Sequence, residues 1–152
     1  MRRRRLVSAI AAGISVLALG LGLNGAASAT TSSAGLYSQR TVVFDCLGHA
    51  QVRPGHLTLA CADGNDYLSG LAWKSWGPGM ATATGVQSVN DCVPYCAAGH
   101  FHRYAVDAVL WGSAAAGPGR QRYTAITLLY PGAHPAYAGS RRPVTSSMPL
   151  FR

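Results

Sequence analysis

Between Thr41 and Pro131 the chain alternates apolar and polar residues in short runs, each closed by Gly, Pro, Asn or Asp. The runs are TVVFDC (41–46), HLTLACA (56–62), YLSGLAWKSW (67–76), MATATGVQSV (80–89), RYAVDAVLWG (103–112) and RYTAITLLYP (122–131). Successive side chains on a strand point to opposite faces, so a period of two describes strands with one buried side. No stretch holds apolar residues at helical spacing between caps, and no long helix is predicted. Six to seven antiparallel strands over residues 37–131 predict an all-β domain, a small disulfide-stapled β-sandwich, with a small β-barrel as the alternative. ADGNDY (62–67) reads as a tight turn and GSAAAGPGR (112–120) as a flexible loop. Residues 132–152 show no periodicity and are expected to form an irregular or disordered tail, or else an arm that contacts a partner.

The first 29 residues read as a signal peptide: MRRRR, an apolar core, then the small-x-small site Ala27-Ser28-Ala29. Residues 30–36 follow as a flexible start. No second apolar span follows, so no membrane span is expected after cleavage, and the domain is expected to be secreted and extracellular. Of 13 Lys and Arg, four (Arg2–Arg5) leave with the signal peptide, so nine face five aspartates, a net +4. These nine are scattered rather than gathered in a stripe, which argues against a nucleic-acid partner. The chain contains no glutamate, which excludes any mechanism that needs a Glu acid or ligand.

An even number of cysteines in an exported chain predicts a disulfide framework. A hairpin around VRPG (52–55), with paired residue numbers summing to 107, sets Cys46 opposite Cys61. Cys92 and Cys96 then pair across a turn bent by Pro94. The same segment spells C-x3-C-x3-H-x-H, and His100 and His102 share a strand face, so a metal site on these histidines, with Asp91, is the alternative. Oxidised cysteines supply no thiolate, and no cofactor is expected.

Three linked motifs carry a resemblance: CADGN (61–65), LAWKSW (71–76) and NDCVPYCAAG (90–99). Together they resemble a family of small secreted actinobacterial proteins without an assigned activity, over roughly Cys46 to Pro131. The resemblance implies export, two disulfides and a compact β fold, and carries over no catalytic residue. Ala105 stands where that pattern leads one to expect proline.

No G-x-S-x-G elbow is present. Asp63, Asn65 and Asp66 lack the further ligands of a calcium loop and read as a turn. Asp107 is expected to pair with an arginine such as Arg122 across the sheet. The aromatics are the stronger functional lead. Trp73 and Trp76, three apart, face opposite sides of a regular strand, so one packs with Leu71 and the other reaches solvent. Trp76, Trp111, Tyr95 and His100 are the candidate ligand-binding residues of a non-enzymatic domain that binds a cell-wall glycan or an extracellular protein. A small hydrolase or metal-dependent enzyme using His100, His102 and Asp91 is the alternative. A cationic inhibitor or toxin acting through Arg141 and Arg142 is a further one.

Overall fold

The computed structural model describes residues 40–151; the expected signal peptide 1–29 and flexible start 30–36 lie outside them. The domain is all-β. Ten strands form two sheets: β1 (Thr41–Phe44), β2 (Ala50–Gln51), β3 (His56–Thr58), β4 (Asp66–Trp76), β5 (Met80–Asn90), β6 (Phe101–Trp111), β7 (Ala114–Ala115), β8 (Gln121–Arg122), β9 (Ala125–Tyr130) and β10 (Val144–Pro149). Short 3-10 turns occupy Cys96–Ala98 and Ala136–Ala138. The larger sheet has the order β10-β9-β6-β5-β4-β3 and is antiparallel throughout. The smaller, β2-β1-β8-β7, contains one parallel pair, β1 with β8. The excess over six to seven strands comes from three two-residue strands, too short to show a period, and from β10.

The alternation in β5, β6 and β9 turns Ala81, Ala83, Val106, Ala108, Leu110, Ile126 and Leu128 inward. They share one core with Val43 and Tyr123 from the side of the smaller sheet. Strand β4 breaks the simple period. Register shifts between Ser69 and Ala72 and between Trp73 and Ser75 mark bulges, and an extra residue re-aims every side chain beyond it. Trp73 and Trp76 therefore meet edge-to-face with ring centroids 4.5 Å apart, where a regular strand would have set them on opposite faces. Gly85 sits beneath the first bulge. A Cβ there would come within 2.9 Å of the Leu71 side chain and 3.1 Å of the Ser69 carbonyl.

The hairpin expected across VRPG does not form. Strand β1 pairs with β2 (Val43 opposite Gln51), and β3 pairs with β4 (His56 opposite Ser69). The chain turns back earlier, at Asp45–His49, because the Asp45 carboxylate accepts the backbone N–H groups of Leu47 and His49 and Gly48 takes a positive φ of 80°. Cys46 and Cys61 are nevertheless bonded, with Cα atoms 5.3 Å apart. They follow β1 and β3, so the bridge ties one sheet to the other rather than two strands of a hairpin. Cys92 and Cys96 form the second disulfide.

The expected irregular tail is also corrected. Residues Val144–Pro149 pair with Tyr130–Ala125 as the edge strand of the larger sheet, and Val144 and Leu150 are buried. An edge strand needs a partner on one side only and tolerates Pro149, so its sequence carries little strand signature.

Removing the inter-sheet bridge tests its role. Replacing Cys46 and Cys61 together with serine is expected to cost about 3 kcal/mol, the chain-entropy value for a loop of about 15 residues. Urea unfolding reads this directly, and an unchanged midpoint would show that the sheets hold together without the bond.

A candidate ligand-binding cleft

At the end of the larger sheet where β5 finishes and β6 begins, two cross-strand rows lie on the inner face. One is Asp66–Val89–His102, the other Leu68–Gln87–Tyr104. The smaller sheet, with strands of two to four residues, cannot cover the full eleven-residue length of β4, β5 and β6. Two connections flank this end instead. Between them lies a cleft of about 430 Å³. The sheet contributes Val89, Asn90, His102 and Tyr104, the loop after β5 contributes Asp91, and the β9–β10 connection contributes Pro135, Ala136 and Tyr137.

The first wall is built by its own side chains. Asn90 donates through Nδ2 to Asn65 Oδ1 (2.9 Å) and to the Cys96 carbonyl (2.8 Å), while its Oδ1 accepts the Cys92 N–H at 3.0 Å. Asp91 Oδ1 accepts the N–H groups of His100 (2.9 Å) and Val93 (3.1 Å), and Oδ2 lies 2.9 Å from His102 Nε2. The His100 N–H, the His102 ring and the Val93 N–H hold the Asp91 carboxyl far below the usual carboxylate range. Gly99 is required here, because a side chain at that position would run into Asn90 Oδ1 and crowd the Cys92 N–H and Asp91.

A second polar cluster lies behind the cleft and reaches it through Tyr137. Gln87, fully buried, donates through Nε2 to both Asp66 oxygens (2.8 and 3.0 Å) and to the Tyr137 hydroxyl (2.8 Å). Its Oε1 accepts the Tyr130 hydroxyl at 2.7 Å, and Tyr137 donates to Asp66 Oδ2 at 3.2 Å. Burial raises the Asp66 carboxyl, and burial beside Asp66 pushes Tyr137 up to about 12. Tyr130, buried against the same groups, is raised further. The carboxyls of Asp91, in the cleft, and Asp66, behind Tyr137, are thus shifted in opposite directions.

Of the candidate binding residues, Trp76 is buried at 5% exposure and is no surface platform. The bulge between Trp73 and Ser75 sets it on the same inner face as Leu71, where its indole donates to the Thr41 carbonyl at 2.8 Å. Trp111 is 46% exposed but ends β6 at the opposite end from the cleft, its indole bonded to Thr127. Tyr95 is exposed on the disulfide loop, and His100 offers Asp91 its backbone N–H. The four do not converge, because Trp111 lies a full strand length from His100. Of the alternative metal set, His102 and Asp91 meet, and among the described residues no three His, Cys, Asp or Glu side chains are grouped to hold an ion. Asp107 lies 3.8 Å from Lys74 rather than pairing with Arg122, since the bulged β4 turns Lys74 to that face. Asp63 caps the Asn65 N–H, while Asp66 turns inward.

Sequence reasoning missed Tyr137 as a cleft residue and Asp66 and Gln87 as the groups that hold it. Gln87 stood at an inward position in a strand, where a polar residue demands a buried partner. Tyr137 lay in a segment without periodicity and gave no such cue. Comparison with protein-family models, with curated proteins and with solved structures returns no match.

The Asp91 carboxylate makes a signed prediction. Its folded value lies below the ordinary 3.8, so the stability it contributes is present above that pH and is lost as the pH falls through the folded value. Asp91→Asn is expected to melt below the parent at about pH 7, with the gap closing below about pH 4. Melting curves that stay parallel down to about pH 2 would refute this.

Proposed function

We propose that this chain is an exported binding domain and that its ligand, a carbohydrate group of the cell wall, sits in the cleft beside Tyr104 and Tyr137. The observation that carries the reading is the composition of that cleft: two tyrosine rings and apolar Val89 and Pro135 set against Asp91 and His102. Sugar rings offer apolar C–H faces and polar rims, which this combination matches. A volume of about 430 Å³ suits a small group rather than a protein surface. Two disulfides are consistent with an oxidising compartment, as is the N-terminal signal-like segment. The resemblance to small secreted actinobacterial proteins supports the same setting.

One observation favours hydrolysis as a second reading: the Asp91–His102 contact at 2.9 Å is the pairing that orients an imidazole as general base toward water. The cleft residues include no serine, threonine or cysteine, so water would be the nucleophile.

Binding of the chain from Thr30 onward to immobilised cell-wall glycan is the test. Tyr104→Ala or Tyr137→Ala is expected to weaken it tenfold or more, about 1.4 kcal/mol, while Trp111→Ala leaves it unchanged. Loss of binding in Trp111→Ala alone would place the site elsewhere. Release of reducing ends that disappears in His102→Gln would establish the hydrolytic reading instead.

A further inference from the structure

Resting on the cleft reading above, we propose that the cleft prefers a sugar bearing a primary ammonium group, a de-N-acetylated amino sugar, with the Asp91 carboxylate as its counter-ion.

The charge distribution is the first argument. The residues lining the cleft include no lysine or arginine, and Asp91 is the one carboxylate among them. Arg103 lies between His102 and Tyr104, but strand alternation turns it to the opposite face of the sheet. Asp66, behind the Tyr137 hydroxyl at 3.2 Å, holds that ring in place and is not counted in the charge of the cleft. The cleft is therefore locally negative in a domain whose net charge from Thr30 onward is +4.

Hydrogen-bond capacity is the second. An ionised carboxylate has about four acceptor sites. Asp91 gives two to backbone N–H groups and one to His102, which leaves one for a ligand donor. An ammonium group is the strongest donor for that place, since both partners are then charged.

The aromatic walls are the third. A cation within about 6 Å of a ring centroid is attracted to the ring face. Both rings are fixed before any ligand arrives. Tyr137 is tethered through its hydroxyl to Gln87 and Asp66, and Tyr104 lies edge-to-face with Tyr130, centroids 6.5 Å apart. Pre-set rings lose little entropy on binding.

The domain's net positive charge sharpens the test, because general electrostatic attraction would favour anionic sugars and repel a cationic oligomer. A preference for the cation must arise at the cleft. Calorimetric titration of the chain from Thr30 onward with a β-1,4-linked glucosamine tetramer, and with the N-acetylated tetramer of equal length, reads this difference. The glucosamine tetramer is expected to bind at least tenfold tighter at low salt, and the gap is expected to shrink as salt screens it. Asp91→Asn keeps an oxygen for the two N–H groups, and it should abolish the preference while the N-acetylated tetramer still binds. Equal affinities, a tighter N-acetylated ligand, a salt-independent gap in the unmodified protein, or a preference retained in a folded Asp91→Asn variant would each overturn the ammonium inference and leave the glycan reading standing. Failure of both tetramers to bind would overturn both.

Discussion

A buried indole must find an acceptor for its N–H, and in this domain the Trp76 indole finds one on the other sheet. Its bond to the Thr41 carbonyl joins the end of β4 to the start of β1. Tyr123, next to β8, stacks edge-on against the same ring with centroids 5.2 Å apart and donates its hydroxyl to the Gly77 carbonyl. One aromatic joint thus holds three separate segments. It exists because the first bulge in β4, for which glycine at position 85 leaves room, turns Leu71 and Trp73 inward, and the second sets Trp76 on the same face. At the other end of β1 the Cys46–Cys61 bridge performs a similar task with a covalent bond.

With the sheets joined there, the opposite end of the larger sheet is left for its connections to line. Each does so through a polar cluster rather than by burying many apolar side chains. The loop after β5 closes on Asn90 and Asp91. The β9–β10 connection is tethered by Tyr137 to Gln87 and Asp66. The cleft is the space between these two anchored segments. Its electrostatics follow from solvent access: Asp91, exposed and ringed by donors, stays ionised, while Asp66, screened from water, is raised.

The motifs CADGN, LAWKSW and NDCVPYCAAG supply structural residues, and the first and third are in direct contact. Cys61 forms the inter-sheet bridge, Asp63 caps its turn, and Asn65 accepts both the backbone N–H and the side-chain amide of Asn90. Trp73 donates to the Pro54 carbonyl, and Gly99 admits the close approach of Asn90 and Asp91. CADGN and NDCVPYCAAG are therefore two halves of one loop junction at the rim of the cleft, which accounts physically for their appearing together in one chain.

Period-two alternation and turn residues determined by themselves the all-β class and the main strands, because both are written in local spacing, and the even cysteine count determined that disulfides form. The expected pairing of Cys46 with Cys61 is the one observed, but the hairpin it was read from does not form, and the tertiary structure brings the two together across the sheets. Asp91 and His102 were legible as neighbours on a strand and its entry loop. Tertiary structure alone decided which way Trp76 faces, since a bulge reverses alternation without marking the sequence. It alone recruited Val144–Pro149 as an edge strand, because backbone pairing to β9 needs little from the side chains. It alone assembled Asp66, Gln87, Tyr104 and Tyr137, which lie as far as 71 residues apart and meet only because hydrogen-bonding groups taken out of water must be paired with one another.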